Sequence, residues 1–170
     1  MIELLILYML NKKVLTMYGI SKEIHANFSV LTTPSYGTIK PALNRLEKAG
    51  YVKSQKTMSK GGRPSSYYSI TLIGQDELEN LLLKPLPENP VQLITTSRIR
   101  LSCIDVLNKD SQKKMLALIK TKTESVMFDA KNLALQKENE FYQKMVLENL
   151  ICECKNLILL LEGFGRAGNN

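Results

Sequence analysis

Between residues 33 and 45 the sequence sets out a dense series of groups that donate and accept hydrogen bonds or carry positive charge. Thr33, Ser35, Tyr36 and Thr38 bring hydroxyls, Asn44 an amide, and Lys40 and Arg45 cations. Gly37 sits among them without a side chain, so another backbone can come close. A second group, Lys60, Gly62 and Arg63, follows in the run Ser59-Lys60-Gly61-Gly62-Arg63-Pro64. These residue types suit phosphate oxygens and the polar edges of bases. Three of the cations have a plainer role open to them. Arg45 can pair with a neighbouring acid, Lys40 can lie on a solvated helix face, and Arg63 can be an exposed turn charge.

Other chemistries find little support. Nucleophilic catalysis needs a Ser or Cys beside a histidine and an orienting acid. The only histidine, His25, reads as a surface residue of a helix. There is no Gly-rich phosphate loop, and the sequence asks for no cofactor. The three cysteines are Cys103, Cys152 and Cys154. Such an odd, sparse set is no disulfide framework. On a helix, Cys152 and Cys154 point to nearly opposite sides and cannot share a metal. They read as buried or half-buried thiols.

The elements that must position these groups follow from periodicity. Ile2 to Asn11 reads as an apolar helix and Met17 to Phe28 as an amphipathic one, with Ile20, Ile24 and Phe28 four residues apart. Ser29 to Pro34 is a loop. Ser35 to Ala49 is a third helix, with Ile39, Leu43 and Leu46 inward and Lys40, Asn44, Arg45 and Lys48 on wetter faces. Gly50 supplies its left-handed stop. Pro41 inside this helix cannot donate to the carbonyl of Gly37, which predicts a bend or a late start. Tyr51 to Thr57 and Ser66 to Thr71 read as two strands around a Gly-Gly turn, a hairpin. Three helices and a hairpin, in that order, make a winged helix-turn-helix. A short helix, Gly74 to Leu83, follows, with Thr71 as its cap.

The fold class is therefore mainly α with a small β-hairpin: a winged helix-turn-helix over residues 1–84, a Pro-rich linker over 85–90, and a helical dimerisation domain over 91–170. The linker holds Pro85, Pro87 and Pro90, and no proline follows. Val91 to Leu107 reads as one helix. Ser111 to about Leu161 reads as a longer helical stretch with its apolar stripe at Leu116, Ile119, Val126, Ala130, Leu133, Phe141 and Met145, gaps at Thr123 and Lys137, and a break near Lys137 to Phe141. Phe128, Phe141, Tyr142 and Met145 are expected to pack in the core, with a ligand pocket as their other role. Gly163 to Asn170 is expected to be a frayed tail.

Charge is divided unevenly between the halves. Residues 1–73 hold ten Lys or Arg against three Asp or Glu, and residues 74–170 hold thirteen of each. The net charge of +7 thus lies wholly in the first half, beside the hydroxyl-rich helix, as phosphate-backbone binding requires. No apolar run approaches the length needed to span a membrane. The short apolar start carries Glu3 where a signal peptide would be basic, so a cytoplasmic protein is expected.

The run from Ser35 to Val52, SYGTIKPALNRLEKAGYV, resembles the signature of the PadR family of regulators. That signature has Gly-Thr, a Leu or Ile, Tyr-Pro, a Leu, Arg-Leu-Glu and a Gly. Gly61-Gly62-Arg63-Pro64, Tyr67-Tyr68 and Thr71-x-x-Gly74 are similar to the family's wing, and Tyr18-Gly19-Ile20 to its second-helix entry. The resemblance covers residues 1 to about 80, and residues 90–165 are similar in length and pattern to the C-terminal domain of the larger subfamily. One position departs: Lys40 stands where the family usually has the tyrosine of its DNA-facing side.

The resemblance implies a homodimer paired through its C-terminal helices that binds a double-stranded operator and represses a nearby operon, with release by a small-molecule effector. The third helix would enter the major groove and the wing the minor groove. Activation, a protein–protein adaptor of the same fold, and a sequence-indifferent architectural protein are the other readings left open by the residues.

Overall fold

The computed structural model describes residues 1–58, 64–136 and 140–167. It divides into two compact units, Met1–Lys84 and Pro85–Asn170. The first contains α1 (Ile2–Lys12), β1 (Leu15–Thr16), α2 (Met17–Phe28), α3 (Tyr36–Lys48), β2 (Val52–Met58), β3 (Pro64–Ile70) and α4 (Leu72–Leu83).

Seven consecutive residues of α1, Leu4 to Leu10, are buried. A helix that is apolar all round must be covered on every side. Here α2, α3, α4 and β3 pack around it. Each covering helix contributes a stripe at helical spacing: Ile20, Ile24 and Phe28 from α2; Ile39, Ala42, Leu43 and Leu46 from α3; Leu78 and Leu82 from α4. Tyr8 of α1 meets Phe28 of α2 edge to face, with centroids 6.2 Å apart, a favourable geometry for aromatic quadrupoles.

The sheet has three antiparallel strands in the order β1-β3-β2, one more than a hairpin. Leu15 pairs with Tyr68 and Thr16 with Tyr67. Two residues are too few for alternation to reveal a strand. Thr16 has a second task as the cap of α2, its hydroxyl accepting from the Gly19 amide at 3.1 Å. Strands β2 and β3 pair from Val52↔Ile70 to Met58↔Pro64, which places the proline at a strand end, where its missing N–H is tolerated.

The root of this ribbon is fastened by short polar contacts. Gly50, with φ of 77°, ends α3 in the left-handed conformation, and the Tyr51 amide reaches back to the Leu46 carbonyl at 3.0 Å. The Thr71 hydroxyl donates to the carbonyls of Gly50 at 2.7 Å and Tyr51 at 3.1 Å. The same oxygen accepts from the Gly74 amide and so caps α4. Gly74 has no room for a side chain, since a Cβ there would lie 2.1 Å from the Tyr51 carbonyl oxygen. Helix α3 runs through Pro41 from Tyr36 onward. It does not start late: the helix forgoes the bond to the Gly37 carbonyl at Pro41 and continues, with Ile39, Ala42, Leu43 and Leu46 buried on its inner face.

The second unit holds α5 (Pro90–Ser102), a 3-10 turn at Ile104–Val106, α6 (Lys109–Gln136) and α7 (Phe141–Ala167). The Asn89 side chain caps α5, with Pro90 in its first turn. Helix α5 is shorter than the expected span to Leu107. The Asn108 side chain starts a new helix by accepting from the Ser111 amide at 2.9 Å, and the Gln112 side-chain Nε2 donates to the Leu107 carbonyl at 2.8 Å. The long helical stretch is two helices, ending at Gln136 and resuming at Phe141.

The inward face of α6 differs from the expected one. It runs Ser111, Met115, Ile119, Thr123, Val126, Ala130, Ala134, without Leu116 or Leu133. Thr123 lies inside the stripe rather than interrupting it, because its hydroxyl donates to the Ile119 carbonyl at 2.7 Å and reaches the core already satisfied. Phe128, Phe141, Tyr142 and Met145 were expected in the core and are instead exposed, at 63%, 67%, 84% and 52%. The buried face of α7 is Ile151, Cys154, Leu157 and Leu161. Helix α7 continues through Gly163 and Gly165 to Ala167, where a frayed tail from Gly163 to Asn170 was expected; 168–170 lie outside the described residues. Cys103 and Cys154 are buried, whereas Cys152 is exposed. Burial, helped by the neighbouring Glu153 charge, pushes the Cys154 thiol up. Among the described residues, no helix is long and apolar enough to cross a membrane.

Because the Gly74 position is closed by backbone, Gly74→Ala should lower the stability of the first unit by about 3 kcal/mol or more. Gly163→Ala, where a Cβ meets nothing within 4 Å, should be neutral or stabilising by up to about 1 kcal/mol. Urea denaturation of both variants checks the contrast.

Candidate nucleic-acid interface

Packing of Ile39, Ala42, Leu43 and Leu46 inward fixes the rotation of α3. The opposite face must then look outward, and Ser35, Tyr36, Gly37, Thr38, Lys40 and Asn44 are all exposed. Lys40 and Asn44 are four residues apart and share one side of the helix. At the start of α3 the Ser35 hydroxyl makes no capping bond. It shares a hydrogen bond of 3.2 Å with the Thr38 hydroxyl instead. Backbone N–H groups of a helix's first turn have no acceptor within the helix.

Two clefts gather the polar residues. One, of about 370 Å³, lies between α3, β3 and the start of α2. Lys40 and Asn44 line it from α3, Ser65, Ser66 and Tyr68 from β3, and Tyr18 from α2. The other, of about 430 Å³, lies between α2 and the segment leading into α3. Thr33, Ser35 and Tyr36 line it from one side, and Tyr18, Ser21, Lys22 and His25 from the other. Tyr18 borders both. The structure thus brings Lys40 and Asn44 together, and separately Thr33, Ser35 and Tyr36. Gly37 and Thr38 lie on the exposed helix surface outside both clefts.

Arg45 is placed differently. Its Nε donates to Glu3 Oε1 of α1 at 2.8 Å, so the pairing with an acid is the role realised here. Glu3 lies too far away in sequence for helix spacing to reveal it. At the other end of α3, the Ser54 hydroxyl of β2 donates to Glu47, which ties the helix to the ribbon. Lys60, Gly62 and Arg63 fall within 59–63, outside the described residues.

Sequence reasoning passed over Tyr18, Ser21, Lys22, His25, Ser65 and Ser66. The first four recur at the i, i+3, i+4, i+7 spacing of one helix face, opposite Ile20 and Ile24. That signal was present, but only the return of 33–36 against α2 makes it a cleft.

A model of the transcriptional regulator PadR-like family matches residues 6–80. A PadR family transcription regulator from Clostridium difficile is 33% identical over 46% of this chain and 80% of its own length, with a TM-score of 0.42. The chain belongs to the PadR-like family of transcriptional regulators. A transcriptional regulator from Clostridium thermocellum is 31% identical over 46% of this chain and 75% of its own length, with a TM-score of 0.42. PadR of Bacillus subtilis, solved in complex with operator DNA, is 18% identical over 95% of this chain and 94% of its own, with a TM-score of 0.47. Among curated proteins the sequence comparison finds no match. The family-matched stretch of this PadR-like chain includes α2, α3 and both long strands of the ribbon.

The Arg45–Glu3 pair joins a largely exposed side chain to a partly exposed one, 61% and 33%, where water and salt still screen the attraction. A double-mutant cycle with Arg45→Ala and Glu3→Ala should return a coupling below about 1 kcal/mol. A larger value would mark the pair as a structural requirement of this PadR-like fold.

Proposed function

We propose that this regulator is a homodimeric, sequence-specific repressor that sets α3 into the major groove of operator DNA and the tip of its ribbon into the minor groove. The observation that carries the reading is the outward face of α3. Lys40 and Asn44 share one cleft with the Ser65 and Ser66 side of β3, so helix and ribbon present donors to the same ligand. In the proposed docking, Thr33, Ser35, Tyr36, Gly37 and Thr38 at the head of the helix meet phosphates and base edges. Lys60, Gly62 and Arg63 serve at the ribbon tip, with the Arg63 guanidinium in a narrow minor groove. The basic excess of residues 1–73 supports contact with a polyanion. Lys40, in place of the family's usual tyrosine, exchanges an aromatic contact for a phosphate contact.

Pairing of two copies through the second unit is supported by the apolar side chains that α7 leaves in water. Phe141, Tyr142, Met145 and Val146 form an exposed run at its start, larger than scattered surface apolar residues require. Tethering two reading heads raises affinity for a two-part operator without any new base contact. Release by a small organic effector completes the proposal. An apolar cleft of about 390 Å³ between α6 and α7, lined by Leu133, Tyr142, Gln143, Val146 and Leu147, has the size of ligand pockets.

Lys40→Ala should weaken binding to a selected operator with the fold intact and lower the log–log salt slope by about 1. Gel-shift titration at several salt concentrations measures both. An unchanged affinity and slope would refute this docking of α3. For the pairing, Tyr142→Lys combined with Val146→Lys should convert a sedimenting dimer to monomers and reduce operator affinity by at least about tenfold. A doubly substituted protein that stays dimeric would place the contact elsewhere.

A further inference from the structure

The cleft between α2 and residues 33–36 contains the chain's single histidine, and neither the outward face of α3 nor the ribbon accounts for it. His25 and Lys22 are exposed side chains one helical turn or less apart on α2, with Tyr18 and Ser21 on the same side. Facing them are the Thr33 hydroxyl and Tyr36 at the head of α3. The titratable and charged groups lining this cleft are Lys22, His25 and Tyr18 from α2 and Tyr36 from α3. Among the described residues, no acidic side chain lines it. The nearest carboxylate in sequence, Glu23, accepts from Lys13 Nζ at 2.8 Å, and the two form an ion pair. What the cleft offers is a cation, a titratable imidazole and several hydroxyl donors, with room for a tetrahedral anion.

We propose that this cleft holds a backbone phosphate of the bound duplex, and that the proton on His25 sets how tightly the duplex is held. The inference rests on the DNA-binding reading above and adds a regulating variable to it. In a helix-turn-helix the helix preceding the recognition helix crosses the sugar–phosphate backbone, and α2 presents this face beside the head of α3. A protonated imidazole donates from both nitrogens and adds a positive charge, whereas a neutral one donates from a single nitrogen. Hydrogen bonds from a charged donor to phosphate are the stronger kind. Histidine is also the side chain whose charge ordinarily changes between pH 5 and 8. Binding of the phosphate favours the protonated form, so affinity is greatest on the acid side and is lost as pH rises. The regulator would hold its operator more firmly in an acidified cell.

The test is duplex affinity of the full-length protein at pH 6 and pH 8, with the salt slope measured at each. Wild type should bind about five- to tenfold more tightly at pH 6, with a salt slope steeper by about 1. His25→Gln should remove both differences and behave at either pH like wild type at pH 8. His25→Lys, which keeps a charge throughout, should bind tightly with no dependence on pH. Lys22→Gln should weaken binding at both pH values while leaving the pH dependence in place. The proposal is overturned if wild type binds equally at the two pH values, or if His25→Gln retains the dependence. Failure of wild type to bind any duplex at either pH would instead remove the DNA-binding reading, and this inference with it.

Discussion

The first unit depends on hiding one helix. Seven consecutive buried residues in α1 leave it no face to show to water, so each neighbour is obliged to cover part of it. Burial of apolar surface at roughly 25 cal/mol per Å² makes that obligation stronger than any single polar contact in the unit. The orientation of α3 follows from it. Once Ile39, Ala42, Leu43 and Leu46 are turned inward, the polar side of the helix has one direction left. The candidate interface is in this sense a by-product of the core: Lys40 and Asn44 point outward because their neighbours must point in.

The parts of this arrangement that rest on local rules were legible in the sequence. The apolar spacing in α2 and α3, the left-handed Gly50 and the Thr71 cap each involve residues within a turn or two of one another, and the structure has all of them. The parts that needed distant partners were not. Nothing near Arg45 announces Glu3, and nothing near Leu15 and Thr16 announces that they join the edge of β3. The face of α6 was misread for a subtler reason. Thr123 is polar by type, but its hydroxyl is spent on its own helix, so it packs as an apolar residue would. Ile119, Val126 and Ala130 were legible on the stripe, but Thr123 between them read as a gap and Leu116 stood in for its neighbour Met115. A separate error placed Phe128, Phe141, Tyr142 and Met145 in the core, because hydrophobic character alone does not say that a side chain is covered.

The candidate surface divides along the same line. Thr33, Ser35, Tyr36, Lys40 and Asn44 could be chosen from residue type and position on one helix. The contribution of α2 could not, because Tyr18, Ser21, Lys22 and His25 are ordinary helix-surface residues taken one by one. Their common location depends on how segment 33–36 returns across α2, which is a tertiary fact.

The fastening at the base of the ribbon has a consequence for which positions accept substitution. Gly50, Tyr51, Thr71 and Gly74 hold the two ends of the excursion together, and β3 also packs on α1 and α2 beyond that joint. Along β2 every residue after Val52 is exposed, so those positions can exchange residues without disturbing the scaffold below. Substitution there costs little, whereas Gly74, closed in by a carbonyl oxygen, admits no larger residue unless the joint itself moves.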